Sequence, residues 1–217
     1  MKTIHSLAAI AAALTFGAPA WAADVCQAGN NLIANCGFES GTFDGWTVSG
    51  TDAPVQEGNL YGVEAADPFP TATGGTAPSS GDFQAYFLDQ ATHPITLSQT
   101  FGTKVGTTYT VSFALAQYDV NDPFDTSFVN SLAASFGGST LLSLTNSADF
   151  GYTTYTYDVL ATSSTSTFAI VTSDTTGEFL VDSVSVAAPV PEPAAPLMVV
   201  AGLGLLASIA RRRRNRG

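Results

Sequence analysis

Tyr109-Thr110-Val111-Ser112-Phe113-Ala114-Leu115 places a large apolar side chain at every odd position and a small or polar one at every even position. A pleated strand turns successive side chains to opposite faces, so this period of two predicts a strand with one face in a core. The same habit recurs at residues 31–38, 46–49, 83–88, 95–101, 132–136, 141–144, 152–160, 167–172 and 178–186. Gly, Pro, Asn or Asp marks most of the joints, among them Gly102, Gly106, Gly137-Gly138 and Thr176-Gly177. No segment between the chain ends shows a 3.6-residue apolar period. Eight to ten strands without a helix predict an all-β, two-sheet antiparallel sandwich. Residues 52–82 hold four prolines and the Thr73-Gly74-Gly75-Thr76 run, with little alternation, and read as a long loop system over that sandwich.

Both ends of the chain look like addresses. Lys2, the mostly apolar run from Leu7 to Phe16 and the small-x-small triplet Ala20-Trp21-Ala22 form the three parts of a secretory signal peptide, expected to be a cleaved N-terminal helix. At the other end, Ala194 to Ala210 are 17 residues without a charge, followed by Arg211, Arg212, Arg213 and Arg214. As a helix that run measures about 25 Å, slightly short of a bilayer core of roughly 30 Å, and the positive-inside rule leaves the arginines in the cytoplasm. The expected division is therefore 1–22 signal peptide, 23–189 a single sandwich domain, and 190–217 a C-terminal segment with a transmembrane helix.

The central segment is strongly acidic. Seventeen of the eighteen acids lie between Asp24 and Asp182, with Lys104 as the only lysine and no arginine, a net of 1 − 17 = −16. Such a surface repels phosphate backbones and excludes nucleic acid as a partner. It keeps an exported protein soluble, and carboxylates of this kind can collect calcium outside the cell. Cys26 and Cys36 are the only cysteines, and an exported chain meets an oxidising compartment, so they are expected to form a disulfide. His93 is the one histidine beyond the signal peptide, no G-x-S-x-G elbow occurs, and no catalytic residues are assigned. Asp119, Asp122 and Asp125 are clustered as a glycosidase pair or a calcium loop would be, but lack the glycine and terminal glutamate of an EF-hand.

Three stretches carry a resemblance to a known family. Asn31-Leu-Ile-Ala-Asn-Cys-Gly-Phe-Glu-Ser-Gly-Thr-Phe-Asp-Gly-Trp46, then Leu97 to Phe101 with Gly106 to Phe113, then Phe179-Leu-Val-Asp-Ser-Val-Ser-Val186 resemble the opening, middle and closing strands of jelly-roll carbohydrate-binding modules. The resemblance implies a jelly-roll sandwich across nearly the whole central segment. It also implies a structural calcium ion held by Glu39 and Asp182, the competing role for both being acceptance of backbone hydrogen bonds in turns. Sugar-binding modules stack pyranose rings on aromatic faces, and Tyr61, Tyr86, Tyr118 and Phe124 are the ligand-binding candidates on that ground, with core packing the competing role. Trp46 falls in the Gly-Trp motif and is expected in the core.

The tail, Val190-Pro191-Glu192-Pro193, then the apolar run, then Arg211 to Arg214, resembles the PEP-CTERM sorting signal, also known as the ice-binding protein C-terminal domain, a label that implies no ice binding here. This resemblance implies signal peptidase and exosortase as partners during export, transient residence in the inner membrane, and a final place on the cell surface or in the extracellular matrix of a Gram-negative bacterium. The function expected is a non-enzymatic, exported surface protein contacting exopolysaccharide. The alternatives are a purely structural surface protein and a carbohydrate-active enzyme.

Overall fold

The structure is a computed structural model that describes residues 26, 29–50, 61–65, 77–88, 94–119, 129–175 and 177–189. Ten strands account for most of them: β1 (Thr47–Ser49), β2 (Tyr61–Glu64), β3 (Gln84–Phe87), β4 (Ile95–Gly102), β5 (Thr108–Asp119), β6 (Asn130–Phe136), β7 (Ser139–Thr145), β8 (Phe150–Leu160), β9 (Thr165–Asp174) and β10 (Gly177–Ala187). They form two five-stranded antiparallel sheets, β1-β4-β9-β6-β7 and β2-β3-β10-β5-β8. The two-sheet sandwich predicted from alternation is the observed architecture. The expected signal helix and tail helix fall on segments outside the described residues.

The core sits between the sheets because the odd positions of β5 and the even positions of β9 face one another. Val111, Phe113, Leu115, Phe168 and Ile170 are fully buried. Phe113 meets Phe168 across the gap with ring centroids 5.7 Å apart, and Trp46 packs edge-on to Phe168 at 6.3 Å. Trp46 is buried as expected, stacked on Phe38 at 5.6 Å, and its indole N–H donates to the Asn35 carbonyl. The β6–β7 hairpin closes on Gly137-Gly138, a two-residue turn whose positive φ at both positions suits glycine. The outward positions of the first sheet, among them Thr96, Ser98, Ala133, Ser135, Thr167 and Ala169, are small and uncharged.

Two segments differ from the reading of the sequence. Residues 31–38 are not a strand: they keep a single bridge, Asn31 to Ala187, and then turn. Asn35 and Phe38 take φ of 49° and 59°, which an extended strand cannot contain. The segment is fastened sideways to the end of β10 by Leu32 N–H to the Val186 carbonyl and Val184 N–H to the Cys36 carbonyl. Gln99 adds a two-way amide clasp on the Ala34 backbone. Within residues 52–82, read as loop, β2 forms an edge strand on β3. Its four residues, Tyr-Gly-Val-Glu, are too few to display a period, and pairing with β3 supplies what local propensity does not.

Candidate functional site

Two constructions meet at β10. The first joins the start of the domain to its last strand. Cys26 and Cys36 are disulfide-bonded with Cα atoms 5.3 Å apart. Beside them, a Cβ placed on Gly37 would lie 3.4 Å from Asp182 Oδ1, 3.4 Å from Cys26 Sγ and 3.5 Å from Glu39 Oε1. Two carboxylates from opposite ends of the sequence therefore converge on one gap that a glycine leaves open. Asp182 Oδ2 accepts the Ser80 N–H at 2.8 Å, and Oδ1 accepts the Ser183 N–H. Glu39 accepts the N–H groups of Asp82 and Phe83.

Local backbone is bent to make this junction. Asn35, Phe38 and Ser183, three of the four non-glycine residues with positive φ, flank it, and β10 shifts register between Asp182 and Ser185. Such conformations cost roughly 1–3 kcal/mol each and persist where the surroundings hold them. Gly81, at φ 69°, lies so close to Glu39 that a Cβ there would be 2.1 Å from Oε1. Burial pushes the Asp182 carboxyl from its ordinary 3.8 up to about 6, against the lowering pull of the Ser80 and Ser183 N–H groups and with help from the Glu39 charge. A carboxylate so disfavoured in its charged form is a hard oxygen ligand whose burial a cation would offset. Among the described residues no group of three or more His, Cys, Asp or Glu side chains that could hold a metal ion gathers.

The second construction covers the outer face of the β2-β3-β10-β5-β8 sheet. Strand alternation sends Glu64 (β2), Gln84 and Tyr86 (β3), Glu178, Leu180 and Asp182 (β10), Ala114, Ala116 and Tyr118 (β5), and Tyr152 (β8) to this side. Its floor is Leu180, Ala114 and Ala116, all buried although they face away from the core. The cover is visible in one chain of hydrogen bonds. Tyr152 O–H donates to Gln84 Oε1 at 2.9 Å, and Gln84 Nε2 donates to Glu64 Oε1 at 3.3 Å. Tyr152 stands on edge strand β8 and Gln84 on β3, three strands away or about 14 Å in a flat sheet, so the sheet must curl to let them touch. This face is therefore concave, with tyrosine and glutamine bridging over small residues.

Tyrosines are the exposed part of that cover. The Tyr86 phenol lies over Gly62, where a Cβ would be 2.6 Å from its Cε1 and hydroxyl, and Tyr118 reaches over Gly151 at 3.6 Å. Tyr86, Tyr118 and Tyr152 are each half-buried, which leaves part of each ring to solvent. Burial first, and then the charges of Glu64 and Glu178, hold the Tyr86 hydroxyl above its usual range. Burial and then Asp182 do the same for Tyr152. Tyr86 and Tyr152 are therefore neutral phenols at physiological pH.

The sequence candidates divide between these places and others. Tyr86 and Tyr118 stand on the concave face, and Tyr152, which was not singled out, stands with them. Its neighbours Tyr155 and Tyr157 turn to the core, so composition alone could not select it, although the register of β8 against β5 does. Tyr61 lies on the opposite side of β2, packed on Phe43 at 6.0 Å in the core. Phe124, His93, Asp122, Asp125, Pro191, Glu192, Pro193 and Arg211 to Arg214 lie outside the described residues.

Comparison with known proteins falls on the two parts separately. Residues 189–214 match the family described as the PEP-CTERM protein-sorting motif. The chain carries that sorting signal. It is accordingly an exported protein, anchored transiently in the membrane and sorted by exosortase to the cell surface of a Gram-negative bacterium. No curated protein sequence matches the chain. Among solved structures, TmCBM61 in complex with beta-1,4-galactotriose superposes with a TM-score of 0.52 at 19% identity, covering 73% of this chain and 99% of that one. The enzymatically active domain of bacteriophage CBA120 tailspike protein 4 gives 0.48 at 10% identity, with 74% of this chain and 22% of that one covered. The CBM22-1 xylan-binding domain of Paenibacillus barcinonensis Xyn10C gives 0.44 at 13%, covering 73% and 95%. The first of these establishes the shared jelly-roll fold.

Proposed function

We propose that the domain of this surface protein is a non-enzymatic carbohydrate binder that holds exopolysaccharide on the concave face of the β2-β3-β10-β5-β8 sheet. The observation that carries the reading is the bridge from Tyr152 through Gln84 to Glu64, with Tyr86 and Tyr118 beside it. Phenol faces stack on the apolar faces of pyranose rings and phenol hydroxyls meet sugar hydroxyls, while the buried Gln84 amide and the Glu64 carboxylate beside it hold Tyr152 in place. The rings are held before a ligand arrives, Tyr86 by its seat on Gly62 and Tyr152 by its hydrogen bond, which lowers the ordering cost of binding. A superposable carbohydrate-binding module supports the assignment at the level of fold.

The placement of the acids favours binding over hydrolysis. A glycosidase needs two carboxyl groups that reach opposite sides of one bond, whereas here Glu178 and Asp182 are 3% and 0% exposed beneath the cover and the Glu64 carboxylate is drawn in, with Oε2 buried and Oε1 accepting from Gln84. In the same proposal Glu39 and Asp182 hold a calcium ion whose role is structural, fastening the first residues of the domain to β10. Binding to a panel of polysaccharides by the processed protein tests the reading. Retention on at least one glycan with release of no reducing ends is expected. Absence of binding to every member, or turnover of any, would overturn it.

A further inference from the structure

We propose that two copies of this protein pair edge to edge through β8, antiparallel, on the side of the sandwich where β7 and β8 end the two sheets. Such pairing needs no glycan. Of the four sheet edges, β1 and β2 present three and four residues, β7 seven and β8 eleven. A long edge is a template for another strand, and proteins commonly blunt one with lysine, proline or a charge. β8 carries no lysine and no proline, and its register shift against β5 lies before Thr153. Its single charge is drawn back from the edge, because Asp158 Oδ1 accepts from Thr110 Oγ1 on β5 at 2.8 Å.

The hydrogen-bond phase of β8 shows which groups the edge offers. Ala161, just past the strand, donates its N–H to the Thr107 carbonyl and accepts the Gly106 N–H, so its backbone groups point to the β5 side. Antiparallel strands alternate in this respect, and the register is unbroken from Leu160↔Thr108 to Thr153↔Leu115. Tyr155, Tyr157 and Val159 therefore share the phase of Ala161, while Thr154, Thr156, Asp158 and Leu160 turn their N–H and C=O groups outward. All four are exposed, and among the described residues β5 is the one strand that pairs with β8. A twofold axis at Tyr157 engages every one of those groups, with Thr156 opposite Asp158 of the second copy and Thr154 opposite its Leu160. On the inner side the same axis sets Tyr157 against Tyr157 and Tyr155 against Val159, aromatic and β-branched pairs of the kind that stabilise sheets. Those inner side chains are half-buried at the margin of the core, as are Leu142 and Leu144 on β7, so pairing extends the core sideways. Asp149 and Asp158 are the only charged residues from 131 to 173, which spares this side most of the domain's self-repulsion.

About 27 Å of paired strand makes an interface below the standard size, so a dissociation constant in the micromolar range is expected. Sedimentation of the processed protein from about 1 μM to about 1 mM should show a monomer–dimer equilibrium. A monomer throughout that range overturns the proposal. Amide hydrogen exchange at the two ends of the range should protect Thr154, Thr156, Asp158 and Leu160 in the dimer only, and a dimer that leaves these four unprotected also overturns it. Thr156→Asp sets a carboxylate against Asp158 of the other copy at two symmetric places and should weaken association roughly 2- to 30-fold, whereas Thr156→Lys should tighten it by a similar factor. Thr47→Asp, exposed on β1 at the opposite side of the sandwich, should leave the equilibrium unchanged. The same response to Thr156→Asp as to Thr156→Lys or to Thr47→Asp overturns the pairing. Thr156→Pro removes an outward N–H and should abolish the dimer, with a thermal melt to show that the variant is folded. The charge variants alter one exposed side chain, so they read the pairing even where proline unfolds the strand.

Discussion

Metal-free protein should become more stable as the pH falls from 7 to 4.5 at one residue, Asp182, against the usual trend for carboxylates. Its folded-state pKa, about 6, lies above the ordinary 3.8, so between these values the folded state holds a proton that the unfolded state has released. Stability then declines as pH rises through that window, because the unfolded chain binds fewer protons. Integrated from pH 4.5 to 7, the difference is about 2 kcal/mol, from a limit of about 3 kcal/mol for the whole shift. The assay is urea unfolding of the metal-stripped protein at intervals across that range, for the natural chain and for Asp182→Asn. Subtracting the two profiles cancels every other carboxylate. Asparagine keeps one acceptor for the Ser80 and Ser183 N–H groups and presents an NH2 to the other, a penalty that does not vary with pH. The subtracted profile should fall by about 2 kcal/mol toward neutral pH. Saturating calcium, which favours the charged carboxylate, should reverse the trend and stabilise the natural chain at pH 7 by about 2.7 kcal/mol at 100 times its dissociation constant. A flat subtracted profile would refute the burial argument, and a profile indifferent to calcium would refute the metal site.

Three further outcomes follow from single contacts. Gly81→Ala should unseat Glu39, whose Oε1 would be 2.1 Å from the new methyl, and weaken calcium-dependent stabilisation measured by melting with and without the ion. Replacing Cys26 and Cys36 by alanine opens a loop of sequence separation 10 and should cost about 2.7 kcal/mol of loop-closure entropy, read by urea unfolding. Gly62→Ala should displace the Tyr86 phenol, since its Cβ would come within 2.6 Å of the ring, and reduce glycan affinity with little change in melting temperature. In the sorted protein, mass spectrometry of the C-terminus should find the Arg211 to Arg214 cluster gone.

Much of the fold was legible because a half-buried strand writes its burial into the sequence with period two. Tyr109 to Leu115 did so, and the observed β5 runs on through Ala116 and Gln117 to Asp119, where the alternation is lost because both faces are covered. Residues 31–38 misled for the opposite reason: apolar Leu32, Ile33 and Phe38 go to the core from turns, with the backbone satisfied by β10 and by Gln99. The site was legible only in part. Glu39 and Asp182 could be drawn together by family resemblance, whereas nothing local in Tyr152-Thr153-Thr154-Tyr155 separates the tyrosine that covers the concave face from the one that enters the core. That distinction depends on the register of β8 and the curl that brings Tyr152 to Gln84, both properties of the assembled sheet.

The most direct test of the central claim is residue-resolved: titration of the processed, 15N-labelled protein with a binding oligosaccharide, followed by amide chemical shifts. Concave-face binding predicts that the largest changes fall at Gly62, Tyr86, Leu180, Ala116, Tyr118 and Tyr152, with Ser98, Ala133 and Ala169 on the other sheet unmoved. Changes confined to the β1-β4-β9-β6-β7 face, or no change with any sugar, would contradict it.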